Sequence, residues 1–157
     1  MSDKLWDRLS DNQNSFIIIS CAKQKIWDRT LNAGPTLAKD AYVSAYFRLS
    51  RAFAEKYGTG WAILSAKYGI ISPDFIIHQD YDVSFKTNPF SPIESKFSRQ
   101  LVDMRIETYD SAIFLGGQSY YKKLQKAFMD FNLPLQSPLA HLFIGQRMRL
   151  LNDALGK

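Results

Sequence analysis

The chain has 157 residues, 46% of them apolar, which suits one globular domain spanning 1–157 with a core of its own rather than two domains. Its 20 lysines and arginines against 15 aspartates and glutamates leave a net charge of +5, a mildly basic balance that admits an anionic partner and equally describes an ordinary solvated surface. A single cysteine, Cys21, excludes an internal disulfide and a multi-cysteine zinc site, and His78 and His141 stand too far apart in sequence to suggest a histidine metal centre; no metal and no cofactor is expected.

The opening residues MSDKLWDRLSD are too charged for a secretory signal, and 3–11 reads as a short amphipathic helix around Leu5, Trp6 and Leu9. FIIIS, 16–20, is a continuous β-branched run, the pattern of a strand buried on both faces. A polar connection through 37 ends in Gly34-Pro35. Apolar positions Ala41, Ala45, Leu49, Ala52 and Phe53 then predict one helix from about 37 to 57, with Gly58 at its end. WAILS, 61–65, is a second buried strand, and 66–90 reads as irregular. A helix with Pro92 in its first turn is expected from about 91 to 109, a third strand at SAIFLGG, 111–117, and a helix over 118–131. A short strand near 133–135 and a helix over 144–155 complete the chain. No segment approaches the ~20 apolar residues of a bilayer span, so a cytoplasmic protein without a membrane partner is expected.

Alternation of strands and helices predicts an α/β layer structure with a mostly parallel sheet. Ligands in such sheets bind beyond the carboxyl ends of the strands, so three exits form the candidate binding site. They supply Ser20, Cys21 and Lys23, then Ser65, Lys67 and Tyr68, then Gly116, Gly117, Gln118 and Tyr120. Glycine before a helix lets a ligand approach the backbone and its free N–H groups; serine and glycine also serve simply to turn a chain. The lysines offer charge to an anion or lie solvated. Tyr42, Tyr46, Tyr120 and Tyr121 offer faces to a base, or Tyr42 and Tyr46 pack together from one helix. Arg48 and Arg51 of the same helix reach phosphate or pair with carboxylates. Cys21 is either a thiol activated by Lys23 and nearby amides or a small buried residue. Asp80 and Asp82, at YDVS, are the carboxylates nearest the irregular section, and either is a candidate general base, with plain turn aspartates as the alternative.

Four strings, SCAKQK (20–25), AYVSAYFRLSRAFAEKY (41–57), ILSAKYGIISPD (63–74) and YDVSF (81–85), resemble a small uncharacterised domain family of archaea, bacteria and phages. That family is itself similar to the accessory domain of archaeosine tRNA transglycosylase and synthase chains. FLGGQSYYKKL resembles the late strand-to-helix segment of the uracil-DNA-glycosylase-like fold. The resemblance implies a three-layer α/β/α sandwich. Residues 33–40 lack the G-x-D/E-P-G pattern of those glycosylases, and His141 lies in the leucine-rich LAHLF, so uracil excision is not implied.

Two functions follow as expectations. One is a nucleobase- or nucleotide-binding protein acting as hydrolase or transferase on an N-glycosidic bond of a nucleoside or nucleic acid, with Ser65 and Lys67 on phosphate or sugar, Tyr68 or Tyr120 on the base and Asp82 activating water. The other is a non-catalytic nucleic-acid-binding module. Partners under either are a nucleotide, nucleoside, tRNA or DNA, and Lys23 and Lys67 are expected to reach one anion.

Overall fold

Three runs of apolar residues pair in register because every second side chain of each has a helix layer to bury against. In the computed structural model, which describes residues 14–85 and 92–156, these are β1 (Ser15–Ser20), β3 (Gly60–Ser65) and β6 (Ser111–Leu115). β1 is central and parallel to both neighbours, with Ile17 opposite Trp61 on one side and Ile113 on the other. β4 (Gly69–Ile71) adds antiparallel to β3, and β7 (Leu135–Gln136) adds parallel to β6, giving the order β4-β3-β1-β6-β7. A separate pair, β2 (Thr36–Leu37) with β5 (Ile76–Ile77), is antiparallel.

The two-residue period of a strand sends alternate side chains to opposite faces. Ile17, Ile19, Ile63, Ile113 and Leu115 meet Phe47, Phe53 and Ala54 of α2 (Ala45–Tyr57) and Leu151 and Ala154 of α5 (Ile144–Ala154). Phe16, Ile18, Ala62, Leu64, Ala112 and Phe114 meet Phe97 and Leu101 of α3 (Phe97–Asp103) and Leu124, Ala127 and Phe128 of α4 (Gln118–Phe128). The result is an α/β fold in three layers, each buried isoleucine or phenylalanine contributing about 1.5–3 kcal/mol. Among the described residues no helix is long and apolar enough to cross a membrane.

Several elements differ from the sequence reading. The helix expected over 37–57 is broken into α1 (Ala38–Ala41) and α2. Tyr42 turns extended and bridges Lys25, and the Ser44 hydroxyl caps the new start by accepting from Phe47 N at 3.1 Å. Tyr42 and Tyr46 are therefore not neighbours on one helix. The reason is tertiary: the Tyr42 ring is drawn into the core and hydrogen-bonds Tyr81. The helix expected over 91–109 shortens to a 3-10 turn at Pro92–Lys96, then α3, then a second 3-10 turn at Ile106–Thr108 beyond Arg105, whose left-handed φ of 56° ends the run. The segment read as irregular holds β4 and β5. Arg51 resolves to ion pairs with Asp40 at 3.1 Å and Glu55 at 3.2 Å. The amphipathic stretch 3–11 lies outside the described residues.

β4 is a free sheet edge, and its exposed backbone is satisfied by one side chain. The Gln100 amide accepts from Ile70 N at 2.8 Å and donates to Tyr68 O at 3.0 Å, standing in for a neighbouring strand.

Candidate functional site

The parallel strands leave one natural crevice. The chain leaves β1 toward β3 and leaves β6 toward β7, on the other side, so the connections diverge between β1 and β6. A ligand site is expected at that divergence, past the carboxyl ends. A cavity of about 740 Å³ opens there. Its wall brings together Ser20, Cys21 and Lys23 from the β1 exit with Gly117, Gln118 and Tyr120 from the β6 exit.

Three helices begin at this cavity. Ser44 and Ala45 open α2, Gly117 and Gln118 open α4, and Ile144 opens α5, and all five line it. Each N-terminus carries roughly half a positive charge from its unpaired N–H groups. Among the described residues no side chain caps α4, whose first residues Gln118, Ser119 and Tyr120 line the cavity. Lys23 and Arg147 add two full charges, and among the described residues the lining contains no aspartate or glutamate.

Arg147 is held in place rather than loose. Its Nε donates to Leu142 O at 2.9 Å, and its guanidinium lies 5.9 Å from the centroid of the Tyr46 ring. Tyr46 is itself anchored, its hydroxyl donating to Leu115 O at 2.9 Å at the end of β6. A methyl group on Gly117 would lie 3.4 Å from both Nη atoms, so the glycine leaves the guanidinium room beside the first turn of α4. Arg147 and Ser44 had no signal in the sequence, because nothing near 44 or 147 tells which strand end their helices will meet.

The remaining candidates lie elsewhere. Ser65 is fully buried. Its Oγ accepts from Lys67 N at 3.2 Å and Tyr68 N at 3.1 Å, and bonds the Tyr81 hydroxyl at 3.0 Å. It fastens the β3–β4 turn. Lys67 is exposed, its ammonium 5.3 Å from the centroids of both the Tyr68 and Tyr81 rings, and Tyr68 packs against Phe75 and Tyr81. Both line a separate groove of about 360 Å³ beside β4, so Lys23 and Lys67 do not line one cavity. Gly116 is buried, and the space a side chain would need is filled by the Phe114 ring; its role is packing. Asp82 is exposed and lines neither space.

Beneath the cavity the four recognised strings meet in a buried polar cluster. Tyr42 and Tyr81 share a hydroxyl–hydroxyl bond, and Lys25, only 4% exposed, donates to Lys23 O at 3.1 Å with its ammonium 4.3 Å from the Tyr81 ring centroid. The expectation of an activated Cys21 is not met. Burial pushes its thiol up, outweighing the Ala66 backbone, the Tyr120 hydroxyl and the Lys25 charge, which all pull down. Burial likewise raises Tyr42, Tyr81 and Tyr120.

The four groups hold their protons in the folded chain at a pH where the unfolded chain releases them. Their contribution to stability is complete below the ordinary thiol and phenol values of about 8.5 and 10, and is lost as pH rises beyond them. The melting temperature is accordingly expected to fall steeply above about pH 10, with a shallower slope in Tyr81→Phe. Iodoacetamide should alkylate Cys21 more slowly in the folded than in the urea-unfolded chain at mildly alkaline pH; equal rates would contradict the buried, protonated thiol.

No solved structure matches the chain closely enough to establish a relationship. The "Uncharacterized protein YfjM" of Bacillus subtilis (strain 168) is 33% identical over 140 residues, which cover 88% of this chain and 93% of that one. Residues 16–153 match the model described as "Family of unknown function (DUF6884)". The match runs from the second residue of β1 to the penultimate residue of α5, and the chain belongs to that family.

Proposed function

We propose that the protein binds a nucleotide or another nucleoside phosphate in the cavity between the β1 and β6 exits. One observation carries this reading: Lys23, Arg147 and the first residues of three helices line one space that, among the described residues, has no carboxylate in its wall. Such a wall favours a dianion and disfavours a neutral or cationic ligand. Tyr46 and Tyr120 supply aromatic walls for a base. The three layers and mostly parallel sheet support the finer likeness to the uracil-DNA-glycosylase-like fold and to archaeosine tRNA transglycosylase chains as part of the same proposal.

The proposal stops at binding. Cleavage of an N-glycosidic bond needs a group to stabilise the sugar cation or activate water, and Asp82 lies outside the cavity. In this reading Arg147, the first turn of α4 and Lys23, all of which line the cavity, hold the phosphate.

Titration with the four ribonucleoside 5′-monophosphates and the four nucleosides is the direct test. At least one monophosphate is expected to bind, and to bind better than its nucleoside. Arg147→Ala should weaken it about tenfold, the loss of one charge-assisted contact of ~1.4 kcal/mol, while leaving the melting temperature nearly unchanged. Equal affinity for nucleoside and nucleotide, or full binding by Arg147→Ala, would overturn the assignment.

A further inference from the structure

Two exposed apolar side chains stand together at the start of α5, the second of them in the cavity wall. Phe143 is 82% exposed and Ile144 57% exposed, adjacent at the start of α5, and Ile144 also lines the cavity. The Phe143 backbone is fixed, its N–H donating to Gln146 Oε1 at 3.0 Å and its carbonyl accepting from Arg147 N at 3.0 Å. The ring is thus presented to solvent from a rigid helix start, four residues before the arginine of the cavity wall. Exposed apolar residues standing singly are ordinary, but Phe143 and Ile144 are adjacent and adjoin a basic cavity, the setting in which an apolar patch rimmed by polar groups marks an interaction site.

Charge says what kind of ligand. The segments 20–25, 41–54, 117–129 and 131–152 supply every lining residue and contain no aspartate or glutamate. Of their nine lysines and arginines, Lys23 and Arg147 line the cavity, while Lys25 is buried and Arg51 and Lys123 are engaged in ion pairs with Asp40, Glu55 and Glu94. All 15 acidic residues lie in other parts of the chain. Lys122, one turn after Gln118 on α4, is exposed and extends the basic surface beyond the cavity itself. A single mononucleotide cannot use this surface, because its one phosphate is already matched within the wall. A peptide partner for an apolar side chain ringed by cations would have to be acidic, and it would leave the cavity unused.

We propose that the occupant of the cavity is one nucleotide of a single-stranded polynucleotide, whose neighbouring base stacks on Phe143 while the adjoining phosphates run along the basic surface of α4 and α5. This rests on the nucleotide-binding reading above and adds the substrate class. Stacking on an aromatic ring tolerates any base, and phosphate contacts are independent of sequence, so recognition outside the cavity is sequence-tolerant.

The experiment compares the four ribonucleoside 5′-monophosphates with the four matching short homo-oligonucleotides carrying a 5′-phosphate, by competition binding to the full chain. At least one oligonucleotide is expected to bind about tenfold tighter than its monomer, the scale of one stacked base. Phe143→Ala should abolish that gain without changing monomer affinity or melting temperature, and Phe143→Trp should keep it. If monomers bind and no oligonucleotide binds tighter, the inference fails and the nucleotide reading stands. If the gain survives in Phe143→Ala, it is charge attraction alone and the stacking assignment is wrong. If neither monomers nor oligonucleotides bind, both readings fall; an acidic peptide that binds in a Phe143-dependent manner where the oligonucleotides do not would replace the inference.

Discussion

Ser65→Ala is expected to lower the melting temperature by about 6–12 °C, equivalent to roughly 3 kcal/mol in a chain of this size, and to leave ligand binding intact. The hydroxyl is fully buried and serves three partners, the amides of Lys67 and Tyr68 and the Tyr81 hydroxyl. Alanine leaves all three without it, and each polar group stranded away from water costs about 1–3 kcal/mol, moderated where the turn can reach solvent. Tyr81 then loses the Ser65 hydroxyl and keeps its bond to Tyr42. The change also separates the two uses of the ILSAKYG string. A structural Ser65 moves the thermal melt and not the affinity. A ligand-binding Ser65 does the reverse, and that result would reopen the β3 exit as part of the site.

Gly69→Ala should cost a similar ~3 kcal/mol, by a different route. The residue has φ of +83°, which an L side chain enters at a penalty of about 1–2 kcal/mol. The added methyl would also overlap the Gln100 amide, the group that closes the free edge of β4. Displacing that amide leaves Ile70 N and Tyr68 O without their partner, for roughly a further 1–2 kcal/mol. Gln100→Ala alone loses the same two hydrogen bonds and nothing else. The double variant Gly69→Ala/Gln100→Ala is therefore expected to be less destabilised than the sum of the singles, by about 1 kcal/mol, since the bonds are lost only once. Urea unfolding of the four proteins measures this directly. Strict additivity would show that glycine is needed for its backbone angle alone and that the amide does not depend on it.

The three central strands could be read from the chain because a run such as FIIIS has one good environment, burial on both faces, and that preference resides in adjacent residues. The exits of β1 and β6 were equally legible, since a parallel strand must end in a polar turn and the ligand crevice follows from that geometry. What the local pattern does not contain is strand order. All three exits look alike in sequence, yet β3 is closed by an antiparallel hairpin into β4, so its serine and tyrosine serve packing while β1 and β6 face the cavity. The break at Tyr42 escaped for the same reason: helical spacing continues across 41–45, and only the pull of the ring toward Tyr81 interrupts it. Arg147 joins the wall because α5 packs against α2 over the sheet, a contact between segments about a hundred residues apart. The acid-free character of the basic segments is present in the chain from the start, but it becomes a site only when folding brings those four segments to one cavity. Long-range pairing has no signature in neighbouring residues, and that is why the tertiary structure, rather than the motif strings, decided which side chains share a cavity.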